Sequence, residues 1–184
     1  MTTEQLAEIG AARWRARKAR RAMVVALVSA WTIAVFAGLS LLLGAVSRDW
    51  VSVVLGLAMG GIAYYEFRGA GQLRRLDWRG AHVLGINQLA FAALLVLYAA
   101  WQLVSTLRAP PSPELAQLAG SGVDPAAAED LVRLAAVLLY GLVAAVGLLG
   151  PGLTAVYYFT RARVIRRVIA ETPAWVLEVL RAGA

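Results

Sequence analysis

MVVALVSAWTIAVFAGLSLLLGAV, from Met23 to Val46, runs without one charged side chain. A helix needs about 20 mostly apolar residues to cross the hydrocarbon core of a bilayer, and this stretch is longer than that. Three more runs approach or exceed the same length: Trp50 to Phe67, Val83 to Leu107 and Leu131 to Thr160. With 60% hydrophobic residues over 184 positions, the chain is too apolar for a soluble protein of its size. The expected fold class is therefore all-α: an integral membrane four-helix bundle made of two transmembrane hairpins, with amphipathic cytoplasmic helices at both ends. Its parts are a basic segment over 1–22, the four-span domain over 23–160 and a C-terminal segment over 161–184.

The charges orient the spans. Of the 18 Lys and Arg residues, only Arg48, Arg108 and Arg133 fall on one side. The N-terminal Arg13, Arg15, Arg17, Lys18, Arg20 and Arg21, the loop residues Arg68, Arg74, Arg75 and Arg79, and the C-terminal Arg161, Arg163, Arg166, Arg167 and Arg181 fall on the other. The excess of positive charge on cytoplasmic segments then predicts both termini in the cytoplasm. Net charge +7 is a topology signal on this reading, and no folded soluble module is left to bind nucleic acid. An abundance of Ala, Leu, Gly, Val and Arg with a single Lys points to a GC-rich genome and a bacterial inner membrane. The apolar run after the basic segment is too long for a cleaved secretory signal, so the first span is expected to be retained.

The flanks carry amphipathic patterns. Thr3 is placed to cap a helix with Leu6 and Ile9 on one face, leading to Trp14 and the basic cluster. Arg13, Arg15, Arg17, Lys18, Arg20, Arg21, Arg74, Arg75, Arg166 and Arg167 are the expected contacts to anionic lipid. At the other end Val164, Ile165, Val168 and Ile169 share a helical face, and Thr172-Pro173 is expected to cap and start a last helix. Trp175, Val176, Val179 and Leu180 on that helix predict a membrane-parallel anchor or a surface for a partner. The outer loop over 108–130 is expected to hold a short surface helix before its Gly-Ser-Gly turn, with Asp124-Pro125 starting the fourth helix.

Chemistry is sparse. The absence of Cys excludes disulfides, thiolate metal sites and cysteine nucleophiles, and His82 alone cannot supply paired haem ligands. No catalytic, metal or cofactor constellation is apparent, so an enzyme is not expected. Glu66, His82, Asn87 and Gln88 are the candidates for a small polar cavity at the inner ends of spans two and three, with Arg68 or Arg74-Arg75 expected to neutralise Glu66. Small residues at four-residue spacing, Ala26, Ala30, Ala34 and Gly38 in span one and Ser52, Gly56 and Gly60 in span two, predict close helix packing. Gly141 and Ala145 give span four a weaker version. Pro151, within GLLGPG, predicts a kink.

The expected function is a non-enzymatic scaffold or accessory subunit working through helix association, as a homo-oligomer or with a membrane partner. The alternatives are an oligomeric channel or small-solute transporter and a lipid-binding or lipid-modifying protein. AYYEFRGAGQLRR (Ala63 to Arg75) and VYYFTRARVIRR (Val156 to Arg167) share a tyrosine pair followed by arginines. Both read first as the aromatic and basic exit of a span, and second as the trace of a parallel duplication.

Overall fold

The computed structural model describes residues 2–110 and 124–182, with the backbone alone at Pro125. The short helix expected before the Gly-Ser-Gly turn falls on 111–123, outside the described residues. Five α-helices are described: α1 Thr3–Ser47, α2 Trp50–Arg74, α3 Trp78–Arg108, α4 Pro125–Ala170 and α5 Ala174–Ala182. The first four are long and apolar enough to cross a membrane.

α1 is one helix of 45 residues, so the basic segment and the first span form a single rod. Its cause is an alanine ladder. Ala12, Ala16, Ala19, Ala22, Ala26 and Ala30 are buried, followed by Ile33 and Ala37. Steps of three and four keep such residues on one face, and methyl side chains let neighbouring helices approach closely. The cap lies one residue earlier than expected: the Thr2 hydroxyl accepts the Gln5 N–H while the Gln5 side chain accepts the Thr2 N–H at 3.0 Å, a reciprocal box. Leu6 is 56% exposed, because the ladder begins at Ile9.

α1 ends at Arg48, whose backbone is left-handed with φ 55°, and Asp49 N–H closes the turn on Gly44 O at 2.9 Å. Asp49 then caps α2, accepting from the backbone N–H of Val51 and Ser52 and from the Ser52 hydroxyl. The helices run antiparallel at contact distance. A Cβ on Gly44 would lie 2.8 Å from Val53 N, and one on Gly56 would lie 2.9 Å from Leu41 N and 3.0 Å from Ala37 O. The expected small-residue stripe is used only in part: Ala26, Ala30 and Gly56 are buried, Ala34, Ser52 and Gly60 are half-buried, and Gly38 is exposed.

α2 extends to Arg74, two turns beyond the span boundary expected at Phe67. The next turn again closes on a left-handed residue, Leu76 at φ 55°, with Leu76 N–H on Leu73 O and Asp77 N–H on Gln72 O, both at 3.0 Å. Glycine usually fills such a position. Leu76 holds it because its side chain is buried in the core.

The chain divides into two compact units, 1–91 with 152–184, and 92–151. In the first, the N-terminal half of the ladder packs with Leu73, Leu84, Tyr158 and Ile165 and with Val176, Leu177 and Leu180 of α5. α4 continues past Thr160 to Ala170, so the amphipathic stretch expected as a separate helix is the end of α4. The Thr172 hydroxyl donates back to Val168 O at 2.6 Å, finishing α4 instead of starting α5. α5 turns Val176, Leu177 and Leu180 into the core and leaves Trp175 37% exposed. Of the face expected to meet lipid or a partner, Val176 and Leu180 are thus taken up by the chain itself, while Val179 is half-buried and Trp175 remains exposed.

In the second unit a Cβ on Gly147 would meet Leu95 Cβ at 2.7 Å, and Tyr98 and Tyr140 stack edge to face with centroids 6.5 Å apart. Asp124 caps α4 through Ala126 N–H at 3.0 Å, as Asp-Pro predicts. α4 runs through Pro151 with helix on both sides.

Candidate functional site

The face of α2 that turns inward is set by its spacing: Met59, Ile62, Ala63, Glu66, Gly69, Ala70 and Leu73 are all buried. Two glycines bring α3 onto that face. A Cβ on Gly69 would lie 2.6 Å from Leu84 Cγ, and one on Gly80 would lie 2.8 Å from Gly69 O. One turn beyond Leu84, α3 places Asn87 and Gln88 against the buried glutamate.

Glu66 is 0% exposed. Its Oε1 accepts from Gln88 Nε2 at 2.6 Å and from Asn87 Nδ2 at 3.2 Å. Asn87 Nδ2 also donates to Ile62 O at 2.9 Å, and Gln88 Nε2 to Ser29 Oγ of α1 at 3.1 Å. Each amide nitrogen therefore divides its hydrogens between Glu66 and one further acceptor. The cluster ties α1, α2 and α3 together, and it uses amides where arginines were expected. Arg68 and Arg75 are exposed.

The second carboxyl oxygen, Oε2, is buried without a protein partner, and so is the Tyr158 hydroxyl of α4. An acceptor and a hydroxyl left unmatched inside a low-dielectric core are costly, so Oε2 is the part of the cluster where a proton or a small polar ligand has most to gain.

His82 does not join the cluster. It is exposed, with its ring edge-on to Phe159 at 5.2 Å between centroids. The structure thus brings together Glu66, Asn87 and Gln88, and adds Ser29; Tyr158 is buried in the neighbouring apolar core with Leu73 and Leu84. Tyr158 belonged to an expected interfacial pair; it is 0% exposed, whereas Tyr64 and Tyr65 are 61% and 49% exposed. The two tyrosine pairs therefore occupy different environments. Sequence spacing carried no signal for Tyr158, since its burial depends on α1, α2 and α4 meeting.

The chain matches no family model, and no curated protein and no solved structure matches it. Among the described residues no group of three His, Cys, Asp or Glu could hold a metal ion.

The basic residues expected at lipid separate onto different faces. Arg13, Arg20 and Arg74 line a cavity of about 330 Å³ between α1, α2 and α5. Arg15, Arg17, Lys18 and Arg21 line another, of about 630 Å³, together with Arg163 and Arg167 of α4. Arg75 lies beside Arg181, which donates to its carbonyl at 3.3 Å. Arg166 stacks over the Trp78 ring at 4.1 Å.

Proposed function

We propose that this protein is a multi-pass protein of the bacterial inner membrane, with both termini cytoplasmic, that acts as a scaffold or accessory subunit by helix association. At most 33% of the most hydrophobic window of any of the four long helices is buried within the chain. The outward side is leucine and valine: Leu131, Leu134, Leu138, Leu142 and Leu149 form one stripe of α4, each at least 55% exposed. Such a surface is stable in lipid or against other apolar helices, and not in water.

The observation that carries the scaffold reading is a set of glycines without an internal use. Gly38, Gly60 and Gly141 would meet nothing within 4 Å if given a Cβ. Glycine costs roughly 1 kcal/mol relative to alanine in a helix, and among the described residues no contact offsets that cost. A second helix approaching along these positions would, as small-residue faces do in membranes. Crosslinking and native mass spectrometry in lipid test this. The wild-type chain is expected to associate with itself or a copurifying partner, and Gly38→Leu and Gly141→Leu to abolish the association while leaving the fold intact. A strictly monomeric protein without a partner sinks the proposal.

A second reading, a small-solute transporter, is favoured by the unmatched Glu66 Oε2 and Tyr158 hydroxyl, since acidic groups at membrane depth commonly mark ion or proton pathways. Flux into proteoliposomes decides it. Wild-type flux above empty vesicles that is lost in Glu66→Gln supports it, and flux equal to empty vesicles across ions and pH removes it.

A further inference from the structure

We propose that the cleft between the N-terminal half of α1 and the C-terminal end of α4 is a binding site for an anionic phospholipid headgroup carrying two phosphates. The inference rests on the reading that the helices cross a bilayer, and it is independent of the scaffold role.

Six cations converge on one concavity of about 630 Å³: Arg15, Arg17, Lys18 and Arg21 from α1, Arg163 and Arg167 from α4. A general attraction to a negative surface needs only that basic residues lie near the membrane. It does not need two helices to aim them into the same cleft. Here the aiming follows from the ladder, because Ala12, Ala16 and Ala19 pack inward with Ala162 and Ile165 in one core. The arginines between them on each helix are left beside one another.

The balance of charge sets the class of ligand. Among the described residues Glu171 is the one carboxylate lining the cleft, and it lies 3.9 Å from Arg167 as an exposed pair, a contact of small energetic weight. A headgroup with a single negative charge would leave most of the cations uncompensated. Two phosphates, each able to take a forked guanidinium, match the paired arginines of α1 and α4.

Position selects a lipid as the source. Thr160, the last residue of the fourth apolar run, lines the cleft, and Arg21 stands two residues before the first run begins at Met23. Trp14, also in the lining, is 66% exposed, where an aromatic ring at headgroup depth is expected. Val164 and Val168 add an apolar wall on the α4 side.

The test uses the full-length protein, first shown to resist alkaline extraction from membranes, so that failure of the membrane reading is seen separately. Native mass spectrometry in detergent then measures retention of a lipid with two phosphates against one with a single phosphate, at matched total charge. Each basic contact contributes about fivefold, so Arg163→Gln with Arg167→Gln is expected to weaken retention about thirtyfold. All four exchanged arginines here and in the next variant are exposed, so folding is preserved; Arg17→Gln with Arg21→Gln gives the same result from the α1 side. Glu171→Gln strengthens retention. Arg13→Gln with Arg20→Gln removes the same charge from the same helix but from the other cavity, and leaves retention within twofold of wild type. Equal loss in this control reduces the site to general surface attraction and overturns the proposal. So does equal retention of the two lipids. Displacement of bound lipid by an equal concentration of inorganic pyrophosphate overturns the lipid assignment in favour of a soluble phosphate compound.

Discussion

The Gln88 side-chain amide donates to Glu66 Oε1 at 2.6 Å and, from the same nitrogen, to Ser29 Oγ at 3.1 Å. One residue thus satisfies acceptors on both α1 and α2. Gln88→Leu leaves Glu66 with Asn87 alone and is expected to destabilise the fold by about 1–3 kcal/mol. Replacing Glu66, Asn87 and Gln88 together by Leu is expected to cost less than the sum of the three single changes, because the buried carboxylate and the two amides that serve it are then removed together. Thermal unfolding of the solubilised protein checks both; strict additivity would show that the cluster does not act as a unit.

Gly56 and Gly60 stand one turn apart in α2 and are expected to answer oppositely to the same change. A Cβ at Gly56 strikes the α1 backbone, which cannot yield as a flexible side chain would. Gly56→Ala is expected to cost about 1–3 kcal/mol. At Gly60 the space within the chain is open, and in the dispersed monomer, with no second helix against it, Gly60→Ala is expected to be neutral or to stabilise by up to about 1 kcal/mol through helix propensity. The two melting temperatures, measured side by side, decide it.

Arg48 holds a left-handed backbone at φ 55° while its side chain is exposed, so its strain is not offset by burial. Arg48→Gly is expected to raise the melting temperature, by an amount corresponding to about 1 kcal/mol. Leu76→Gly at the other left-handed turn is expected to lower it, because Leu76 belongs to the core.

Asp49 sits in the α1–α2 turn, and the Ser52 hydroxyl holds its carboxyl below the ordinary 3.8, aided by the backbone N–H of Val51 and Ser52 against a smaller opposing effect of burial. A depressed folded value means that the carboxylate contributes stability above the ordinary value and loses it as pH falls below 3.8 through the folded value. The melting temperature of wild type is expected to show a step in that acidic window that Asn at this position (Asp49→Asn) abolishes. Parallel acid titrations of the two melting temperatures measure it.

The four long helices were legible because an apolar run long enough to span a bilayer is a property of local sequence. The register of contact was not. Ala26, Ala30, Ala34 and Gly38 step by four, and each such step drifts about 40° around a helix of 3.6 residues per turn. After three steps the stripe has left the interface, which is why Gly38 is exposed while Ile33 and Ala37 are buried. Glu66 was placed at an interface because arginines follow it. Its burial depends on α2 continuing to Arg74 and on α3 closing over Gly69, both long-range outcomes. The cleft at Arg163 was invisible for the same reason: it exists only because α1 and α4 extend beyond their apolar runs side by side. Leu177 is buried with Val176 and Leu180, three residues that share one helical face, so the inward side of α5 is rotated away from the expected Trp175.

The unbroken course of α1 makes it a continuous link between the basic segment and the polar cluster. Its 45 residues reach roughly 68 Å at 1.5 Å per residue, and no glycine, proline or turn interrupts it between Arg15 and Ser29. Arg21 and Ser29 are about 12 Å apart along that rod. Arg21 and the serine that shares Gln88 with Glu66 therefore belong to one uninterrupted helix, so a single element joins the charged end of the molecule to its buried acid.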